Sequence, residues 1–146
     1  MTDPSADQAL SVYFSLVIDN VDLGLFSTCD GLSIDMQIET REDGGGGSTV
    51  YQLPGRFKYT NLHVTRPIGP DTAKTMRWLQ TMLHGINPST AQLAALDPAG
   101  RLVFGWTLLG VIPAKWTGPS FDVENPSQAK ETLELAYTSI LLGAAQ

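Results

Sequence analysis

Apolar and polar residues alternate along much of this chain with a period near two, which favours strands over helices. Ser11 to Asp19 is short and rich in β-branched and aromatic residues, among them Val12, Tyr13, Phe14 and Ile18, and predicts a strand. Asp19-Asn20 and Asp22 supply a turn, Leu23 to Thr28 a second short strand, and Cys29-Asp30-Gly31 its punctuation. From Ser33 to Thr40, Ile34, Met36 and Ile38 share one parity while Ser33, Asp35, Gln37 and Glu39 share the other. That is the pattern of a half-buried strand with one wet face. Arg41 to Thr49 reads as a loop, since Gly44-Gly45-Gly46-Gly47 carries too much backbone entropy for a sheet interior. Leu53-Pro54-Gly55 reads as a turn, and Phe57 to Arg66 as a returning strand. Gln92 to Asp97 and Leu102 to Trp116 flank a turn at Asp97-Pro98-Ala99-Gly100.

Asp71 to His84 is the one convincing helix. Asp71 is its expected N-cap, Ala73, Met76, Leu79, Met82 and Leu83 form an apolar stripe beside Trp78, and Gly85 ends it. The tail from Ala129 to Leu141 fits two descriptions. Its residues are good helix formers, and Leu133, Tyr137, Ile140 and Leu141 make a helical stripe. Leu133, Leu135 and Tyr137 also alternate with Thr132, Glu134 and Thr138, as in a strand.

At 146 residues with 42% hydrophobic content, the chain is long enough for one domain with a core, over 11–146 after a flexible N-terminal arm at 1–10. No apolar run approaches the ~20 residues of a membrane helix, and the acidic start is unlike a signal peptide, so production in the cytoplasm is expected. A single Cys29 excludes an internal disulfide. The net charge of −6 is unevenly spread: residues 1–55 hold nine acids against one base, and residues 56–116 two acids against seven bases. Unlike patches of this kind serve a head-to-tail contact between copies, unless folding interleaves them.

Catalytic chemistry finds no support. Asp35 and Glu39 on one strand stand about 13 Å apart at ~3.3 Å per residue, beyond the ~9.5 Å of inverting glycosidases. Glu131 and Glu134 adjoin on a helix but point to opposite faces of a strand. Cys29, His63 and His84 lack zinc-site spacing, so no metal or cofactor is expected. His63 shares parity with Phe57 and Tyr59 and reads as partly core, His84 as a helix-end cation, and Cys29 as a small buried hydrophobe. Ser33 lacks the second glycine of a nucleophile elbow, and the glycine run lacks the lysine of a phosphate loop. The acidic balance disfavours nucleic-acid recognition.

An ordered set of residues nevertheless carries a resemblance. It runs from Asp19, Gly24 and Phe26 through Cys29-Asp30-Gly31-Leu32, Asp43 with its glycines, and Leu53-Pro54-Gly55. It continues with Trp78, Asp97 with Gly100, Trp106, Pro113, Lys115-Trp116 and Glu131-Thr132-Leu133-Glu134-Leu135. This set resembles the inner tube proteins of contractile phage tails and related contractile injection systems. Arg66-Pro67 departs from it, where the family commonly has Arg-Gly.

The resemblance implies a mainly β protein, a small antiparallel β-barrel or sandwich with one flanking helix, and makes the tail a strand. It implies a non-enzymatic subunit whose hexameric rings stack into a hollow tube. The surrounding partners would be a sheath, a baseplate and tube-terminating proteins, with cargo or DNA in the lumen of a phage tail or injection particle. The candidate stacking loop comprises Arg41, Glu42, Asp43, Gly44, Gly45, Gly46, Gly47, Leu53, Pro54 and Gly55. Candidate lumen residues are Ser33, Asp35, Gln37 and Glu39, then Thr132 and Glu134, although both sets fit an outer surface equally. The rival reading is a monomeric β-barrel binding a small ligand among Trp78, Trp106 and Trp116.

Overall fold

The computed structural model describes residues 12–42, 50–120, 123–124 and 129–142. The expected arm at 1–10 and the stretch Asp43–Gly47 lie outside them. Among the described residues ten strands and one helix follow in the order β1 (Tyr13–Ile18), β2 (Val21–Phe26), β3 (Thr28–Asp30), β4 (Ile34–Glu42), β5 (Val50–Tyr59), β6 (Leu62–Pro67), α1 (Thr72–Leu83), β7 (Ser89–Leu96), β8 (Leu102–Thr117), β9 (Lys130–Ala136) and β10 (Ser139–Leu142). Eight strands form one antiparallel sheet in the order β2-β1-β7-β8-β9-β6-β3, with β10 on β8 beside that path. β4 and β5 form a separate two-stranded ribbon.

The sheet does not close into a barrel; it folds over on β8 into a sandwich. That strand has 16 residues and pairs with β7 through Val111, then with β9 from Ile112 onward. Its corner is Gly110, at φ +66°, where a Cβ would lie 2.5 Å from Thr138 Oγ1. Only glycine fits both demands. The hairpin between β1 and β2 turns on Asp19 and Asn20, at φ 48° and 66°, the paired positive angles of a two-residue hairpin turn.

Between the folded halves lies one core, with Leu16, Ile18, Leu23, Phe26, Val64, Leu93, Leu108 and Leu133 fully buried. The tail is a strand: Glu131, Leu133 and Leu135 turn inward while Thr132 and Glu134 turn outward, and Tyr137 is buried just beyond. The turn at 97–100 also forms, with Gly100 N–H donating to Asp97 O at 2.9 Å and Arg101 N–H to Asp97 Oδ1 at 2.8 Å.

Several local expectations need correction. Asp71 sits in the right-handed helical region and its side chain makes no cap hydrogen bond. The buried helix face is Thr75, Trp78 and Met82; Ala73 and Leu83 are exposed, because α1 packs its Trp78 side, not the Met76–Leu83 side, onto the core. Leu53-Pro54-Gly55 is not a turn but the middle of β5, opposite an irregularity in register between Met36 and Ile38. A ribbon of two strands has two free edges, which is where a strand tolerates proline. Arg41 and Glu42 likewise belong to β4. The expected single strand from Phe57 to Arg66 breaks at Thr60-Asn61 into β5 and β6, which belong to different sheets. Cys29-Asp30 is itself part of a short strand, β3, paired with β6.

Candidate functional site

The ribbon of β4 and β5 has two unlike faces. Register sets Ile34 opposite Tyr59, Met36 opposite Phe57 and Ile38 opposite Pro54 on one face. Asp35 opposite Lys58 and Glu39 opposite Leu53 occupy the other. The alternation expected for β4 is therefore present, but the chain does not bury its apolar side. Met36 is 44%, Ile38 56% and Phe57 58% exposed. Among the described residues the ribbon is anchored at its base, where the Tyr59 ring meets Tyr137 at 5.6 Å and Thr60 Oγ1 donates to Gly31 O at 2.5 Å. The stacking candidates Arg41, Glu42, Leu53, Pro54 and Gly55 all lie on this ribbon.

A second surface is the outer face of the half-sheet β3-β6-β9-β8. Thr28, Thr65, Thr132 and Thr117 are register partners straight across these four strands. The next row is Asp30, His63, Glu134 and Lys115, alternating in chemical character. Thr65 and Thr132 hydroxyls lie 3.1 Å apart. Asn61 Nδ2 donates to Glu134 Oε2 at 3.2 Å, and His63 Nε2 pairs with Glu134 Oε1. The hydrogen bond from Asn61, joined by the one from His63, holds the Glu134 carboxyl below the usual carboxylate range. His63 is thus on the solvent side of β6, not in the core, because the chain break at Thr60-Asn61 separates its parity from that of Tyr59.

The two lumen-candidate sets do not share a surface: Asp35, Gln37 and Glu39 project from the ribbon, with Ser33 just before it, and Thr132 and Glu134 from the half-sheet.

Sequence reasoning missed a third feature, a buried charge cluster. Arg66 is 4% and Glu131 0% exposed, with Nε 3.5 Å from Oε2. The guanidinium donates to Leu23 O at 2.5 Å, Asp71 O at 2.7 Å and Thr75 Oγ1 at 2.6 Å, and lies 4.1 Å from the Phe26 ring centroid. This cluster ties β2, β6, β9 and the start of α1 together. Its sequence signal was parity: Arg66 follows Leu62 and Val64, and Glu131 precedes Leu133 and Leu135, each on an inward face.

Cys29 packs against the core, and burial, with Asp30 beside it, pushes its thiol up to about 11. It is not poised as a nucleophile. Trp78 lies in the core, with Trp106 and Trp116 packed against it. Among the described residues no group of three or more His, Cys, Asp or Glu is placed to hold a metal ion, and no helix is long and apolar enough to cross a membrane.

Comparison with known proteins gives a consistent picture. The family described as T4-like virus tail tube protein gp19 matches residues 10–140. No curated protein matches. Among solved structures, a chain of the sheath–tube complex of the PVC extracellular contractile injection system, in its extended state, superposes with a TM-score of 0.77 at 20% identity. That match covers 99% of this chain and 100% of the other. A chain of the anti-feeding prophage baseplate gives 0.71 at 21% identity and covers all of both chains. Hcp1 from Salmonella typhimurium gives 0.55 at 17% identity, over 90% of this chain and 85% of its own.

Proposed function

The chain belongs to the T4-like virus tail tube protein family, and on that premise we propose that six copies close into a ring and that rings stack into a hollow tube. The role is structural and calls on no catalytic group. The observation that carries it is the ribbon, whose Met36–Phe57 and Ile38–Pro54 pairs form an apolar face that its own chain leaves in water. Exposed apolar surface of this kind on a strand pair marks an interaction site. Another copy supplies the cover.

The half-sheet bearing the threonine row and the Asp30–His63–Glu134–Lys115 row lines the channel in this reading. Its hydroxyls and alternating charges stay hydrated and offer a passing cargo or DNA no apolar foothold. The wet face of the ribbon, with Asp35, Gln37 and Glu39, then lies at or near the contact between rings. Fold likeness to chains from a sheath–tube complex and a baseplate supports a sheath, a baseplate and tube-terminating proteins as further partners within an injection particle or phage tail.

Negative-stain microscopy of the purified full chain tests the proposal. Six-fold rings or stacked tubes are expected. Featureless monomers at high concentration, with sheath protein added, would contradict it.

A further inference from the structure

The ribbon of β4 and β5 leaves the sandwich on two short legs. Gly31 to Ser33 leads from β3 into β4, and Thr60-Asn61 leads from β5 into β6. The legs touch where they start. Thr60 Oγ1 donates to Gly31 O, and Gly31, at φ +89°, lies so close to Asn61 O that a Cβ there would overlap it. Glycine is therefore what lets the two legs meet at this joint.

Tyr137 and Glu134 reach the joint from the rest of the sandwich. The Tyr137 ring meets that of Tyr59 at the foot of β5. Glu134, on β9, engages both legs. Its Oε2 accepts from Asn61 Nδ2 at 3.2 Å, and its Oε1 pairs with His63 Nε2. The other ring nitrogen, His63 Nδ1, lies 3.3 Å from where a Gly31 Cβ would stand, so the imidazole fills the space between Glu134 and the first leg. Apolar ring burial is non-directional, whereas a hydrogen bond weakens steeply off its axis, so Glu134 is the contact that sets an angle. The hydrogen bond from Asn61 is also the first cause of the lowered Glu134 carboxyl, so the second leg binds the ionised side chain, which is the stronger acceptor.

We propose that Glu134 is a positioning residue for the ribbon: from β9 it holds Asn61 and His63 against Gly31 and so fixes the direction in which the ribbon leaves the sandwich. The residue that aims the ribbon therefore lies outside it, on the polar half-sheet. This goes beyond the tube reading and does not depend on it, since it concerns how one chain holds its own ribbon.

Hydrogen–deuterium exchange of the full chain, read by mass on the same gel-filtration fraction of each protein, tests the joint. Glu134 is on the solvent side, so its truncation leaves the core intact. Glu134→Ala is expected to speed exchange over residues 31–34 and 59–61 by about threefold or more, the loss of one net hydrogen bond from a locally opening unit, and to leave β1 and β7 at wild-type rates. Asn61→Ala should give the same pattern. The double variant should exchange no faster than the faster single one, because the pair acts as one contact. Unchanged exchange at the joint in Glu134→Ala, acceleration spread evenly over the core strands, or single effects that multiply in the double variant would overturn the assignment. None of these outcomes bears on ring formation. The expected exchange pattern in a chain that forms no rings would overturn the tube reading alone.

Discussion

Arg66 and Glu131 form an ion pair shut away from water, Nε 3.5 Å from Oε2 on neighbouring strands β6 and β9, with side chains 5% and 0% exposed. A charge in such a place is tolerated only because its partner is there. Arg66→Met strands the Glu131 carboxylate and is expected to cost about 3–5 kcal/mol, read as a lower urea midpoint. Adding Glu131→Leu removes the stranded charge and should recover a large part of the loss. A double variant no more stable than the single one would show that the hydrogen bonds from Arg66 to Leu23, Asp71 and Thr75 matter more than the pair itself.

Gly110 makes a second prediction about the fold. Gly110→Ala meets both an unfavourable positive φ and the Thr138 side chain, whereas Gly100→Ala, at φ +83°, meets open space. The strain alone is about 1–2 kcal/mol for a residue in the left-handed region. Chemical denaturation should therefore rank Gly110→Ala as the more destabilised of the two. Equal losses would mean that the corner of β8 yields to accommodate a methyl group.

Glu134 gives the acid response of the polar half-sheet. Its carboxyl is held below the usual carboxylate range, first by the hydrogen bond from Asn61 and then by the contact with His63. A folded-state value depressed in this way stabilises the fold above that usual range, and the stabilisation fades as pH falls through the folded one. Melting curves collected from about pH 6 down to pH 3 should converge for the wild type and Glu134→Gln at the acid end, having been separated above pH 4.5. Parallel curves throughout would sever the link between this carboxylate and its neighbours.

What the sequence made legible was periodicity. At 131–135 the alternation left helix and strand both open and the family resemblance decided for a strand; a strand is what forms, although helix-forming residues fill it, because two rows of neighbours at β6 and β8 outweigh local propensity. The alternation at 34–38 gave the right faces for β4, but it could not say who buries the apolar one. Ile34, Met36 and Ile38 look like core residues in any one chain, and the cover lies outside that chain in the proposed assembly. Proline misled at Pro54, since a two-stranded ribbon accepts it inside a strand. Asp71 misled as a cap, since its carbonyl serves Arg66 and its carboxylate Lys74 at 3.1 Å. Arg66 itself was hidden because a buried cation becomes recognisable only when Glu131, far away in sequence, is brought beside it.

Sedimentation velocity of the full chain beside a Met36→Asp, Phe57→Asp variant tests the central claim most directly. Both substitutions fall on exposed ribbon positions, so the variant should fold and sediment as a 15.7 kDa subunit. The wild type should sediment as rings and longer assemblies at the same concentration. A wild type that stays at subunit mass, or a variant that assembles as fully as the wild type, would contradict the account.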